Sequence, residues 1–99
     1  MDEKIRVTPC ACFSHDDQGG RLRIDMEMAG VDKKDISLEM RTDSFCVSAP
    51  KGQETEYSGC FKLAHEIVPE RTEAQHENGL LKIFAPIRDW EHRTKVTIQ

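Results

Sequence analysis

The sequence lacks the features that mark secreted, membrane and nucleic-acid-binding proteins. No apolar run approaches the roughly 18 residues of a membrane-spanning helix, and the first residues, MDEK, do not resemble a signal peptide. Basic residues are scattered and the net charge is -4. Because nucleic acids and anionic membranes are bound through clusters of Lys and Arg, neither is expected as a partner. These absences predict a cytoplasmic protein.

The motifs of the common catalytic mechanisms are also missing. The chain has no glycine-rich phosphate loop, no G-x-S-x-G and no H-E-x-x-H. Its two His-Glu pairs, His65-Glu66 and His76-Glu77, cannot act together on one substrate if they lie in strands, because neighbouring strand residues point to opposite faces. We therefore predict a protein that is not an enzyme and needs no cofactor.

The cysteines do not form a recognisable metal-binding pattern. Cys10 and Cys12 could share one face of a strand, but the paired knuckles of structural zinc sites have C-x₂₋₄-C spacing, and Cys46 and Cys60 stand alone. No further convergent ligands are visible, so no metal site is predicted. Without a signal peptide, the four cysteines are expected to be reduced thiols.

What the sequence has in quantity is alternation of apolar and polar residues. Over residues 21–28, every second side chain is apolar and every other one is charged. The strongest turn signal is Asn78-Gly79, because both residues tolerate the positive φ of a type I′ hairpin turn. The strand that follows it, with Leu81, Ile83 and Ala85 on one face, should end at Pro86, which has no amide to donate.

Similar alternation recurs along the rest of the chain, in residues 9–15, 35–41, 45–49, 57–64, 72–77 and 96–98. In 9–15 both faces are half apolar, so the core-facing side stays open. Short strands with turn signals between them predict an all-β sandwich or barrel in one domain of 99 residues. We expect a lead-in over 1–8, the β-domain over 9–86 with the fourth alternation ending at Pro50, and a tail over 87–99. In that tail, Val96 and Ile98 form either one more strand or a groove-binding segment.

Three ordered motifs resemble the alpha-crystallin domain of small heat-shock proteins. The family pattern A-x-x-x-N-G-V-L, followed by a proline, resembles Ala74-x-x-x-Asn78-Gly79-Leu80-Leu81 and Pro86. The pattern P-G-V/F-x-K-x-D-I resembles residues 29–36, AGVDKKDI, and F-x-L-P resembles residues 61–64, FKLA. The resemblance covers about residues 9–99.

The resemblance implies an immunoglobulin-like antiparallel β-sandwich of about seven or eight strands. It implies an ATP-independent holdase, a chaperone of the stress response that binds partly unfolded client proteins through apolar surfaces. It also implies that a C-terminal I/V-x-I tail docks between strands 35–41 and 72–77 of a neighbouring subunit. The groove residues would then be Ile36, Leu38, Met40, Ala74 and His76, and the tail residues Val96 and Ile98.

Self-association into a dimer or larger oligomer is expected, weakened by the short loop 50–56 and by the near absence of an N-terminal arm. Ala29 and Ala64 replace two prolines of the family motifs. These departures favour an alternative of a different class: a CS-type sandwich that serves as an interaction module, or co-chaperone adaptor, for one folded partner.

Overall fold

A computed structural model describes residues 5–16, 20–88 and 96–99. Within these residues the chain forms eight strands and two short 3₁₀ turns, Lys33–Asp35 and Pro69–Arg71. The strands are β1 (Ile5–Val7), β2 (Ala11–Asp16), β3 (Arg21–Glu27), β4 (Ser37–Met40), β5 (Ser44–Lys51), β6 (Thr55–Lys62), β7 (Glu73–Glu77) and β8 (Leu80–Pro86). They build two four-stranded sheets, in the orders β1-β6-β5-β4 and β2-β3-β8-β7. The predicted all-β sandwich is confirmed.

The core between the sheets consists of the alternate residues that the sequence pattern selects. In β3, the apolar residues are buried and the charged ones lie on the outer face. The same alternation buries one face of β5 and of β8. The buried apolar residues are Leu22, Ile24, Met26, Met28, Phe45, Val47, Ala49, Tyr57, Ile67, Leu81, Ile83 and Ala85. Their burial removes apolar surface from water, which is the dominant favourable contribution to folding.

The Asn78-Gly79 hairpin forms as predicted. Asn78 has φ 51° and Gly79 has φ 77°, the left-handed pair that a type I′ turn requires. The turn joins β7 and β8 in antiparallel register. β8 ends at Pro86, in agreement with the sequence.

Three boundaries differ from the expectation. The segment expected to be a lead-in contains β1, which pairs in parallel with β6 from Ile5 opposite Thr55. Pro50 does not end its strand but lies within β5. It is tolerated there because β4 reaches only to the register of Ser48, so the Pro50 nitrogen can face the open edge without losing a ladder bond. Residues 96–99 are not part of a sheet.

The expectation of four reduced thiols is wrong for two of them. Cys46 of β5 and Cys60 of β6 are directly opposite in the antiparallel register, with Cα atoms 4.1 Å apart, and form a disulfide. Cys10 and Cys12 are free and exposed. The two halves of the disulfide are 14 residues apart in sequence, and only the register between β5 and β6 brings them together.

Candidate functional site

The predicted groove lies between two edge strands, one from each sheet. β4 ends the first sheet and β7 ends the second. On the other side of the sandwich, the edge strand β2 lies over β6, the neighbour of the edge strand β1, because the Phe13 and Phe61 ring centroids are 6.5 Å apart. β4 and β7 therefore share the remaining side. Each pairs with one neighbouring strand only, within the residues that the structure describes, and offers a free backbone edge.

The β4 side of the groove is apolar. Ile36, Leu38 and Met40 are half-buried and pack against the core. Leu38 and Met40 stand opposite the buried Val47 and Phe45 in the β4–β5 register, so they point to the inner face. Their partial exposure follows from the edge position, since no further strand of the described residues pairs with β4. The inward orientation expected from the sequence is confirmed.

The β7 side contributes a small side chain and an imidazole. Ala74 and His76 stand opposite the buried Ile83 and Leu81 of β8, so both point inward across the edge. Ala74 is exposed and leaves room beside it, whereas His76 is half-buried. The His76 Nε2 atom lies 3.2 Å from the carbonyl oxygen of Met28. A carbonyl can only accept, so this contact places the ring proton on Nε2 and fixes the imidazole at the end of the groove near the 78–79 turn.

The tail residues do not lie in this groove on their own chain. Val96 is 76% exposed and Ile98 is 93% exposed. Residues 96–99 have no regular secondary structure, so the interpretation of Val96 and Ile98 as a further strand is wrong. The structure thus places Ile36, Leu38 and Met40 at the edge of one sheet, Ala74 and His76 at the edge of the other, and leaves Val96 and Ile98 exposed.

A second apolar surface lies on the opposite side of the sandwich, between β1 and β2. We call it the β1/β2 seam and define it by Ile5, Val7 and Phe13, which are 64%, 40% and 46% exposed. Phe13 also packs inward on Phe45 and Phe61, with ring centroids 6.4 and 6.5 Å away. This answers the question left open for residues 9–15, because the side that carries Phe13 faces the core.

The sequence pattern did not identify this seam. Ile5 and Val7 alternate with Arg6 over only three residues, which is too short a run to separate from irregular chain. The sequence offered one indication of this surface, namely two apolar residues in a segment without turn signals.

The outer face of the second sheet is more polar and has an aromatic centre. Two guanidinium groups lie over the Phe84 ring, with the Cζ atoms of Arg21 and Arg23 at 5.3 and 5.8 Å from the ring centroid. Arg23 also donates a hydrogen bond to Asp25 at 3.1 Å. The alternation with Leu81, Ile83 and Ala85 implies that Phe84 lies on the outer face, but it does not show the arginines against the ring.

Among residues 5–16, 20–88 and 96–99, no group of three or more His, Cys, Asp or Glu side chains is placed to hold a metal ion. No helix in this part of the chain is long and apolar enough to cross a membrane. What the described surface offers is apolar side chains next to free strand edges.

This architecture is that of the alpha-crystallin β-sandwich of small heat-shock proteins. No family model matches the sequence, and no curated protein was found to be similar to it in sequence. Solved structures do match. Heat shock protein 16.0 from Schizosaccharomyces pombe is 18% identical with a TM-score of 0.76, over 95% of this chain and 77% of that one. HSP18.5 from E. histolytica is 16% identical with a TM-score of 0.75, over 93% of this chain and 99% of that one.

A third match is a small heat-shock protein from Xylella fastidiosa, 17% identical with a TM-score of 0.70, over 94% of this chain and 95% of that one. At these identities the likeness establishes the fold. The fold implied by the resemblance of the three sequence motifs is therefore confirmed.

Proposed function

We propose that this protein is an ATP-independent small heat-shock protein, a holdase that binds partly unfolded client proteins in the cytoplasm. The observation that carries the proposal is the exposed apolar β1/β2 seam beside a free strand edge. An unfolded segment offers apolar side chains and unpaired backbone groups, and both can be satisfied by adding a strand at such an edge. Burial of apolar surface then supplies the affinity without nucleotide.

We further propose that the groove of β4 and β7 binds the Val96/Ile98 tail of a neighbouring subunit. The apolar residues of β4 and the small Ala74 make room for side chains spaced two apart, which is the spacing of residues that point to one side of an extended segment. The high exposure of both tail residues supports an intermolecular contact.

The holdase proposal is tested by light scattering from a heat-aggregating client protein, in the absence of ATP, as this protein is titrated. Suppression near stoichiometric ratios is expected. The double variant Ile5→Ser/Val7→Ser should require a several-fold higher concentration, because the apolar surface of both side chains is lost. Arg6→Ser is the matched control, since Arg6 lies on the opposite face of β1, where it makes an exposed ion pair with Glu56.

Two outcomes contradict the proposal. If the folded wild-type protein leaves client aggregation unchanged, it is not a holdase. If it suppresses aggregation and the β1 double variant does so equally well, clients bind elsewhere. Circular dichroism of each variant confirms that it is folded before the comparison.

One observation favours the alternative function, an interaction module or co-chaperone adaptor for a folded partner. An aromatic side chain flanked by arginines, as Phe84 is, is typical of the centre of a protein–protein interface. Pull-down from a cell extract separates the two functions. A single folded protein at stoichiometric amount that is lost in Phe84→Ala indicates an adaptor, whereas many heat-labile proteins retained by Phe84→Ala indicate a holdase.

A further inference from the structure

Two histidines that are 50 positions apart in sequence meet at one end of the sandwich. The imidazole rings of His15 and His65 have centroids 4.9 Å apart and planes inclined at 71°. His15 is exposed and His65 is half-buried, so water and ions can reach the pair. From this geometry we infer that His15 and His65 form a binding site for a divalent transition-metal ion, with Zn²⁺ as its typical occupant.

The separation of the rings agrees with joint coordination. A zinc–imidazole bond is about 2.0–2.1 Å long and the ring centre lies roughly 1.1 Å beyond the nitrogen, so the metal is about 3.2 Å from each centroid. For angles at the metal between about 90° and 109°, the two centroids are then about 4.5–5.2 Å apart. The observed 4.9 Å falls inside that interval.

Both histidines lie in segments whose backbone is hydrogen-bonded to neighbouring segments. His15 belongs to β2 and stands opposite Leu22 in the β2–β3 ladder. His65 lies in the bend after β6, which is fixed on both sides by hydrogen bonds from Leu63 N to Asp43 O at 2.8 Å and from Ile67 N to Thr42 O at 2.7 Å. A site carried by ordered segments needs little rearrangement to bind, which favours affinity.

The chemistry of the donors selects the class of cation. Neutral imidazole suits Zn²⁺, Cu²⁺ and Ni²⁺, whereas Mg²⁺ and Ca²⁺ require oxygen ligands. Among the described residues no third His, Cys, Asp or Glu joins the two imidazoles at this point. An open two-histidine site of this kind exchanges its ion readily.

Occupation of the site would connect the two sheets. His15 comes from the sheet that contains β2, and His65 lies three residues after the end of β6, a strand of the other sheet. An ion held by both therefore clamps the sandwich at this end, and it stabilises the folded chain because the unfolded chain does not keep the two rings together. The inference does not depend on the holdase proposal.

The test is calorimetric titration with Zn²⁺ of the Cys10→Ser/Cys12→Ser protein, in which the exposed free thiols cannot contribute. We expect one ion per chain. In this background, His15→Ala and His65→Ala should each weaken binding at least about tenfold, since loss of outer-shell support alone costs about 10–100-fold. His76→Gln is the matched control and should bind as the parent does, because His76 contacts the Met28 carbonyl and not this pair.

A second readout keeps the inference testable if a variant folds poorly. In ¹⁵N-edited NMR spectra of the parent, Zn²⁺ should shift the ring signals of His15 and His65 at the same molar ratio and leave those of His76 in place. Absence of binding, unchanged affinity in either alanine variant, or a shift of only one of the two rings would overturn the inference and leave a ring-to-ring packing contact only.

Discussion

Replacing Ile98 by Ser tests whether the tail holds an assembly together. Ile98 is 93% exposed and Val96 is 76% exposed, so almost the whole apolar surface of both is available for burial in the groove of another chain. Burying one Val or Ile side chain is worth about 1.5–3 kcal/mol. The two together contribute about 3–6 kcal/mol, from which the costs of association and of ordering the tail are subtracted.

Ile98→Ser removes about half of the free energy gained by burying the two tail side chains. A loss of about 1.5–3 kcal/mol corresponds to a dissociation constant raised by a factor of about 10–150 for each tail contact. Because the intact contact is already weak, this loss should abolish it at micromolar protein concentration. Assemblies that depend on several such contacts should fall to smaller species, since weak contacts act through their number.

Sedimentation velocity over a hundredfold range of protein concentration measures the effect. Wild type should sediment as a species larger than a dimer, and Ile98→Ser as a smaller one. Thr97→Ser is the matched control, since it changes the same segment and keeps both apolar side chains.

A substitution in β7 provides a second test of tail binding. Ala74→Glu places a charge between β7 and β4 and should reproduce the dissociation, because an apolar tail would have to bury that carboxylate. Gln75→Glu adds the same charge on the outer face of the same strand and should have no effect. The reasoning is refuted if the wild type is monomeric throughout, or if Ile98→Ser leaves an assembly larger than a dimer unchanged in size.

Two further predictions concern stability. The Cys46→Ser/Cys60→Ser variant should lose about 3 kcal/mol in free energy of unfolding by denaturant, the value for a closed loop of about 15 residues, and an unchanged midpoint would show that the disulfide does not contribute. Gly79→Ala should be destabilising by more than about 1 kcal/mol, because Gly79 has φ 77° and an added Cβ would lie 3.2 Å from the Cβ of Ala29. Gly52→Ala is its control, with φ 72° and nothing within 4 Å, and equal losses in both would show that crowding plays no part.

The parts of the fold that could be predicted from sequence are those governed by local rules. The alternation in β3 and β8 is a property of each strand, so it identifies the buried face without knowledge of the partner strand. The Asn78-Gly79 turn has its own backbone requirement, which fixes the β7–β8 hairpin and with it the positions of Ala74 and His76. The same alternation in residues 35–41 puts Ile36, Leu38 and Met40 on one face, whereas the choice of all five groove residues came from the family resemblance.

The features that could not be predicted from the sequence depend on contacts between segments that are distant in the chain. Cys46 and Cys60 meet only because β5 and β6 pair in one particular register, and a shift by one residue would put their side chains on opposite faces. His15 and His65 meet because one end of β2 lies over the bend after β6. The disulfide also bears on the compartment, because cytosolic reductants keep most thiols reduced. The number of free thiols in protein isolated from its source therefore tests the cytoplasmic prediction.

The two apolar surfaces lie on opposite sides of the sandwich, and this separation has a consequence for the proposed function. A tail bound between β4 and β7 would cover Leu38 and Ala74 but would leave the β1/β2 seam untouched. Assembly and client binding would then not compete for the same surface. A holdase built in this way could bind clients without first dissociating, so Ile98→Ser should change the size of the assembly while leaving the capacity to suppress client aggregation per chain close to that of wild type.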